Sequence, residues 1–241
     1  MGVFISQEYG GLGLGYLEHA MVMEEFWRVD PGVGNILLAV FGSELISDYG
    51  ADPQKETWLA RVAEGKAILA CGITEPNAGS DILALKTNAK RVGEHYIING
   101  AKQFISNGSI ADAVLVLCLT NPEAAKPTDR FSFLLVERDR AGFSSQKLKG
   151  KMGIRASDTA ELAFDDVEVP AENLIGTEEG GGFRQVMNLF NANRVIAAAQ
   201  GVGVAQGAFD RAAAYIKERV QFGKPLAAFQ GIQFKIADMA S

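Results

Sequence analysis

The apolar residues change their spacing twice along the chain, and this change limits the fold more than any other feature of the sequence. Between Tyr16 and Ala67, and again after Phe183, they recur at the three- and four-residue intervals of amphipathic helices. Between Ile68 and Phe164 they form short β-prone runs separated by turn residues. Because these runs do not alternate with long helices, the pattern predicts an antiparallel sheet between two helical regions, which is an α+β fold.

This pattern divides the chain into domains. We expect an N-terminal helical domain at 1–67, a central antiparallel β domain at 68–178 and a C-terminal helical domain at 179–241. Within the first domain, a helix is expected between Asp52, as its N-cap, and Gly65, as its stop. The order of elements is therefore helices, sheet, helices.

The C-terminal domain starts with an uninterrupted helical pattern from about Phe183 to Val220, which corresponds to about 55 Å at about 1.5 Å per residue. A helix of this length must pack against neighbours. The glycines between Gly201 and Gly207 follow no strand and lack dinucleotide-binding spacing, so we interpret them as a close helix contact and not as a phosphate site. A last helix should open between Pro225 and Phe229. The inward-facing candidates of the long helix are Val186, Leu189, Phe190, Val195, Val202, Phe209, Ala213 and Ile216.

Charge and cysteine content exclude several classes of protein. The 29 acidic and 23 basic side chains leave a net charge of −6, which gives no overall field that attracts nucleic acid. The two cysteines, Cys71 and Cys118, and the two histidines, His19 and His95, are too few and too scattered for a disulfide framework or a metal centre. No run reaches the roughly 18 apolar residues of a membrane span. We therefore expect no metal, no nucleic acid and no membrane-spanning segment.

One polar segment of the β region is a candidate site. The residues from Thr74 to Asp81 follow a predicted strand and combine a hydroxyl, two carboxylates, a proline and a small turn. Backbone amides exposed by such a turn can closely approach an anionic phosphate. A β-turn without function explains the same residues equally well, so both interpretations stay open at this point.

The same segment resembles the TEPxAGSD signature of the acyl-CoA dehydrogenase family. Four further blocks resemble that family's W-I-T-N-G, G-x-R-x-S-D-T, F-D-D-V-x-V-P and E-R-x-x-F-G-x-x-L motifs. In this sequence they run from Phe104 to Gly108, from Gly153 to Thr159, from Phe164 to Pro170 and from Glu218 to Leu226. Phe104 replaces the commoner Trp and Ser106 the commoner Thr, which keeps the apolar face and the hydroxyl. The blocks follow the family order and cover essentially the whole chain.

The resemblance implies a fold and a cofactor. Family members have an N-terminal helical domain, a central β domain and a C-terminal four-helix bundle, of which this chain would hold the start, with FAD between domains and between subunits. Arg219, Phe222 and Gln230 are implied at the FAD pyrophosphate across a subunit interface, where a planar guanidinium matches phosphate oxygens. A solvated charge at a helix end is the alternative for Arg219. The residues implied around the flavin ring are Cys71, Ile73, Thr74, Gly79, Ser80, Phe104, Ile105 and Ser106.

The resemblance also implies a reaction and its partners. The reaction is the α,β-dehydrogenation of an acyl-CoA thioester to the 2-enoyl-CoA, with electrons passed to an electron-transfer flavoprotein. Ser80, Asn191, Asn193 and Arg194 are implied at the substrate, with an ion pair inside the helical bundle as the alternative for Arg194. A homo-oligomer is expected, a tetramer in the family, located in the cytoplasm or, in a eukaryote, in the mitochondrial matrix.

The catalytic base is the part that this sequence does not supply. Most family members carry it on a glutamate that would lie beyond Ser241, and a minority place it where Asn193 stands here. An amide cannot accept the proton. Asp165 and Asp166 are interpreted as turn and surface groups, and both ends of the chain are expected to be truncated. An oxidase relative and a catalytically silent module that binds flavin or acyl-CoA therefore stay open as alternatives.

Overall fold

Helices flank a β region, as the change in apolar spacing predicts. The structure is a computed structural model, and it describes residues 2–35 and 40–241. The helices are α1 (Tyr16–Val29), α2 (Pro31–Gly34), α3 (Ser43–Tyr49), α4 (Asp52–Ala63), α5 (Gly182–Glu218) and α6 (Gln230–Ala240). The strands are β1 (Leu69–Gly72), β2 (Asn88–Val92), β3 (His95–Ser106), β4 (Ala113–Leu119), β5 (Phe131–Glu137), β6 (Phe143–Lys147), β7 (Thr159–Pro170), β8 (Leu174–Ile175), β9 (Val220–Gln221) and β10 (Lys224–Pro225).

The start of α4 differs from the expectation by one residue. Asp52 is already helical and Ala51 takes the N-cap position, so the prediction of Asp52 as the cap is wrong. The physical reason is Gln54, whose Oε1 accepts the Ala51 N–H at 3.0 Å and satisfies the cap residue from inside the helix. Asp52 then lies in the first turn, where the helix dipole favours a negative charge. At the other end Gly65 follows the helix with φ +71°, as expected of a glycine stop.

The central sheet is mixed and not purely antiparallel. Its strands follow the order β6-β7-β3-β2-β4-β5-β8, with β1 also paired to β4. Most neighbours are antiparallel, as predicted, but β1 and β2 each run parallel to β4. The connection explains the difference, because the chain leaves β1, forms the β2–β3 hairpin and only then returns as β4 in the direction of β1.

Strand β1 is buried on both faces. Leu69 and Cys71 share one apolar cluster with Leu59 of α4 and Val186 of α5, whereas Ala70 belongs to the cluster on the opposite face of the sheet. This alternation follows from the strand pleat. Because close-packed surroundings hold β1 on both sides, the segment that follows it has a fixed starting point.

Helix α5 crosses α1 at a contact made of glycines. A Cβ atom at Gly203 would lie 2.2 Å from the Glu24 carbonyl oxygen, and one at Gly207 would lie 2.1 Å from the Arg28 carbonyl oxygen. Backbones this close leave no room for a side chain, which confirms the predicted helix contact for Gly203 and Gly207 but not for Gly201, where a Cβ would meet nothing within 4 Å. Arg28 Nη2 also donates to Asp210 Oδ2 at 2.6 Å, which ties the two helices together near the same point.

The long helix and the start of the last helix are confirmed, since α5 runs from Gly182 to Glu218 and α6 has its N-cap at Phe229. Two inward positions predicted on α5 need correction. Val195 and Val202 are 54% and 55% exposed, so their prediction as inward positions is wrong, because α1 covers only the side of α5 that carries Ile196 and the contact glycines. Among the residues that the structure describes, no helix combines the length and the apolar character needed to cross a membrane.

Candidate functional site

The segment after β1 is held by β3 and by a tight turn. The Thr74 carbonyl accepts the Gln103 N–H at 2.8 Å, which joins the end of β1 to β3. Glu75 and Ala78 then exchange backbone hydrogen bonds of 2.9 and 3.2 Å across the two residues between them. Residues 79–80 follow this turn at the surface. The predicted site segment is therefore a defined turn on the edge of β3.

A buried ion pair that the motifs do not reveal lies beneath this turn. Lys102 is fully buried, and its Nζ donates to Glu75 Oε1 at 2.9 Å and to the Ile73 carbonyl at 3.0 Å. The Glu75 carboxylate also accepts the N–H groups of Thr87 and Lys86 at 2.9 and 2.8 Å. Burial raises the pKa of Glu75, but Lys102 and these donors outweigh burial and lower that pKa overall. The sequence feature that could have revealed this ion pair is a lysine at an inward position of β3.

Strand β3 bulges at Phe104. Its pairing with β7 shifts register between Lys102 and Ile105, and Phe104 adopts φ +61°. A positive φ is costly for a bulky residue, and such strain is concentrated at functional sites. Phe104 is 62% exposed, whereas Ile105 is buried in the opposite core. The bulge therefore presents an aromatic ring, with Ser106 on the same face of the strand, beside the segment that follows β1.

The residues predicted around a flavin fall into an accessible group and a buried one. Thr74, Gly79, Ser80, Phe104 and Ser106 are exposed or half-buried on the two adjoining segments. Within residues 2–35 and 40–241, the hydroxyls of Thr74, Ser80 and Ser106 take part in no side-chain hydrogen bond. A Cβ atom at Gly79 would meet nothing within 4 Å. The accessible group thus combines an aromatic face, free hydroxyls and open backbone.

Cys71, Ile73 and Ile105 form the buried group. Cys71 and Ile73 pack in the core that faces the helices, and Ile105 packs in the core on the other side of the sheet. Burial raises the pKa of the Cys71 thiol, so the group is a neutral packing residue. A ligand at this surface would reach these residues through their backbone and not through their side chains.

The residues of α5 predicted to bind substrate point in different directions. Arg194 Nη1 donates to Asn191 Oδ1 at 2.6 Å, and both residues are exposed. Among the described residues Arg194 has no carboxylate partner within ion-pair distance, so the alternative of an ion pair in the bundle finds no support. Asn193 is half-buried, and its Nδ2 donates to the Leu189 carbonyl at 2.9 Å.

Helix α3 carries a buried carboxyl that sequence reasoning missed. Glu44, near the start of α3, is 6% exposed, and its Oε2 accepts the Gly42 N–H at 2.8 Å. Burial raises the pKa of Glu44 to about 7 in spite of this hydrogen bond. An acidic residue in the first turn of a helix is ordinarily a surface group favoured by the helix dipole, so the sequence carries no sign of this burial.

Arg219, Phe222 and Gln230 lie at the opposite end of α5 from the turn after β1. Phe222 and Gly223 both have positive φ, +50° and +76°, as a two-residue hairpin turn between β9 and β10 requires. Phe222 is 93% exposed. The stretch of α5 from Arg194 to Arg219 measures about 38 Å at about 1.5 Å per residue. The structure therefore does not bring these residues together with the Phe104 surface within one chain.

The remaining candidate residues have structural positions. Asp165 and Asp166 are exposed, and the Asp166 N–H donates to Asn99 Oδ1 at 3.0 Å. Their interpretation as surface groups is confirmed, but they lie on strand β7 and not in a turn, because β7 continues through both residues. His19 is buried, and its pKa is lowered by burial. Within the described part of the chain, no group of three or more histidine, cysteine, aspartate or glutamate side chains could hold a metal ion.

The accessible group fits a flavin in its chemistry. An isoalloxazine ring is flat, with an apolar face and polar edges, and needs aromatic or apolar cover together with a few convergent donors. Phe104 offers the cover, and the open backbone at Gly79 offers donors. The hydroxyls of Thr74 and Ser106 lie on the same two segments.

Comparison with known protein families agrees with this fold. Three family models match in order: the N-terminal domain of acyl-CoA dehydrogenase over residues 1–66, the middle domain over 70–167 and the C-terminal domain over 180–241. The chain belongs to the acyl-CoA dehydrogenase family, which is a family of flavin-dependent proteins.

Individual relatives show how much of a family member the chain covers. It is 44% identical to the short-chain-specific acyl-CoA dehydrogenase of Clostridium acetobutylicum, over 99% of this chain and 63% of that protein. The solved butyryl-CoA dehydrogenase of Megasphaera elsdenii matches with a TM-score of 0.92 at 39% identity, over 99% of this chain and 63% of that one. A chain from the structural work on the electron transferring flavoprotein of Acidaminococcus fermentans matches with a TM-score of 0.94 at 42% identity, with the same coverage. The chain thus spans about 63% of the length of these relatives.

Proposed function

We propose that this chain serves in the FAD-dependent α,β-dehydrogenation of an acyl-CoA thioester to the 2-enoyl-CoA, with electrons passed to an electron-transfer flavoprotein. The observation that carries the proposal is the strained, exposed Phe104 beside the turn that follows β1. The likeness to the chain from the work on the flavoprotein of Acidaminococcus fermentans supports the choice of electron acceptor. We place the flavin where the domains 1–67, 68–178 and 179–241 meet.

The chain's own residues would bind and shield the cofactor. When bound, FAD would supply the acceptor for a hydride from the β-carbon of the acyl group. Thr74 and Ser106 would donate hydrogen bonds to the edges of the ring system, and Phe104 would cover one face and exclude water from it. Gly79 leaves space for a backbone N–H to approach a ligand.

The substrate would lie between this surface and the first half of α5. The Arg194 guanidinium is exposed and already oriented by its 2.6 Å hydrogen bond to Asn191, and such a planar group suits the phosphate oxygens of coenzyme A. Ser80 would donate its free hydroxyl to the substrate from the other side. Asn193, the residue before Arg194 on α5, would contact the acyl group through its carboxamide.

The α-proton needs a base that these residues do not provide. Asn193 is an amide, and Asp165 and Asp166 are exposed residues of strand β7. General-base assistance contributes roughly 10² to 10⁴-fold to such a step. We therefore expect the chain of 241 residues on its own to bind but not to dehydrogenate acyl-CoA.

Anaerobic mixing of the FAD-loaded chain with straight, branched and cyclic acyl-CoA thioesters tests the proposal. The thioester should shift the flavin absorbance without bleaching it in the wild type. Asn193→Glu supplies a carboxylate and should bleach the flavin, whereas Asn193→Gln, the matched control, should not. Failure of every thioester to shift the absorbance would contradict the proposed function. Bleaching by the wild type would contradict only the missing base.

A further inference from the structure

The indole of Trp27 on α1 occupies the space that a side chain at position 34 would need. A Cβ atom at Gly34, the last residue of α2, would lie 2.5 Å from Trp27 Cδ1 and 2.9 Å from Trp27 Nε1. Within the described part of the chain, the buried Nε1 atom has no hydrogen-bond partner. The ring therefore acts through its volume and not through a polar contact.

The same ring lies close to the substrate side of α5. Trp27 packs against a small apolar cluster formed by Ala20, Met23 and Ile196. Ile196 is three residues after Asn193, and residues at this spacing are neighbours on a helix surface. Because the proposed function places Asn193 at the acyl group, the indole lies about one helical turn from the acyl group along α5.

The residue after α2 connects this region to the flavin-side strand. The side chain of Asn35 donates a hydrogen bond to Ser157 Oγ. The carbonyl of the next residue, Asp158, accepts the Asn107 N–H at 3.2 Å, directly after the end of β3. The contact between the indole and α2 therefore lies between α5 on one side and the end of β3 on the other.

We propose that Trp27, packed against Gly34, closes the far end of the acyl site and restricts this chain to short acyl groups of the size of butyryl. This inference rests on the proposed function, which places the thioester between the Phe104 surface and the first half of α5. Glycine at position 34 is required for it, because a side chain there would displace the ring. Trp27 takes no part in the chemical step.

An open acyl site and a closed one respond differently to added methylene groups. Each methylene that becomes buried strengthens binding by about fourfold. Octanoyl-CoA has several more methylenes than butyryl-CoA, so an open apolar site would bind it much more tightly. With the indole in place these methylenes have no room, and octanoyl-CoA should bind no more tightly than butyryl-CoA.

The ratio of the Kd values for butyryl-CoA and octanoyl-CoA tests the inference, measured by titration calorimetry on the FAD-loaded chain. Trp27→Ala should change this ratio by at least about tenfold in favour of octanoyl-CoA, and Trp27→Leu should change it less. Phe26→Ala is the matched control. Phe26 is the neighbouring aromatic residue of α1, but it lines an open surface cavity with Val29 and Val33, so its removal should leave the ratio unchanged.

The fluorescence of Trp27 gives a second readout with the indole in place. The sequence has two tryptophans, Trp27 and Trp58, so Trp58→Phe leaves Trp27 as the single emitter. Butyryl-CoA should change this emission more than free coenzyme A does, because only the thioester brings an acyl chain to the ring. This measurement decides the question if Trp27→Ala and Trp27→Leu do not fold.

The possible results discriminate between the two proposals. A Kd ratio that stays unchanged in Trp27→Ala and in Trp27→Leu would overturn the inference and leave the proposed function standing. So would a wild type that binds octanoyl-CoA much more tightly than butyryl-CoA, or an emission that responds equally to butyryl-CoA and to free coenzyme A. If neither thioester binds, the proposed function is contradicted and the inference with it.

Discussion

At the scale of single residues, two buried carboxyls show how the surroundings decide a charge. Glu75 has Lys102 at 2.9 Å and backbone donors, and its pKa is lowered. Glu44 has hydrogen-bond donors but no cation among the groups that shift it, and its pKa is raised to about 7. Both residues are acidic and lie near the start of a turn or helix, so the difference between their pKa values comes from neighbours that are distant in the sequence.

Glu44 should make stability fall as the pH rises. Its folded pKa of about 7 lies above the ordinary 4.5, so the folded state binds more protons between these values, and stability is lost as the pH passes through about 7. The difference corresponds to about 3 kcal/mol. Glu44→Gln should therefore match the wild type near pH 5 and exceed its free energy of unfolding at pH 8, as measured by urea denaturation. Glu56→Gln, at an exposed position of α4, is the control, and an equal effect of Glu44→Gln at both pH values would refute the prediction.

The Glu75–Lys102 pair should be expensive to break from one side. Lys102→Met leaves the Glu75 carboxylate buried without a cation and should destabilise the fold by about 3–5 kcal/mol. The double variant Lys102→Met with Glu75→Gln should lose less than the two single variants added together. Urea denaturation of all four proteins gives this coupling, and additive losses would show that the two charges do not stabilise each other.

At the scale of elements, the crossing of α1 and α5 depends on glycine at particular positions. Gly203 and Gly207 meet backbone oxygen atoms of α1, whereas a Cβ at Gly201, in the same helix, would meet nothing within 4 Å. A helix glycine is otherwise less favourable than alanine. The two kinds of position should therefore respond to the same substitution with opposite signs.

Gly203→Ala should destabilise the protein because its Cβ would force α1 away from α5. Overpacking of this kind costs about 1–3 kcal/mol. Gly201→Ala, the matched control, should instead stabilise by up to about 1 kcal/mol through helix propensity. Thermal unfolding of both variants measures the two changes in stability. A Gly203→Ala variant as stable as the wild type would mean that the helices are not in close contact there.

At the scale of the whole molecule, the residues assigned to the cofactor lie in two separate places. Phe104 and Thr74 lie on the β-sheet, and Arg219 lies about 38 Å beyond Arg194 along α5. One FAD reaching both groups would need residues from a second chain. We therefore predict that cofactor binding requires a homo-oligomer.

Complementation between two variants tests this arrangement. Arg219→Ala should weaken FAD binding by about one to two decades through the loss of charge-assisted hydrogen bonds. Phe104→Ala should weaken it at the other half of the site. Mixed oligomers of the two variants should contain some sites with neither substitution, and the amount of tightly bound FAD per chain measures this recovery. Analytical ultracentrifugation of the wild type gives its oligomeric state. No recovery, or FAD bound by a monomer, would contradict the shared site.

Features that depend on near neighbours along the chain could be predicted from the residues alone. Apolar spacing indicated helices, sheet and helices in the right order, and the glycines of α5 indicated a close helix contact. The motif from Thr74 to Asp81 located the turn beside β3, because its residues act within one loop. These features follow from the periods of helix and strand and from turn chemistry, which operate over a few residues.

Features made by distant parts of the chain could not be predicted in this way and became known from the fold. The parallel pairing of β1 with β4 depends on the path of the connection, and the bulge at Phe104 depends on the register between β3 and β7. The burial of Glu44 depends on the elements that pack against α3. A sequence pattern predicts which side chains share a face of one element, but not which other element packs against that face. The element that packs there determines burial and charge pairing, and therefore the pKa values.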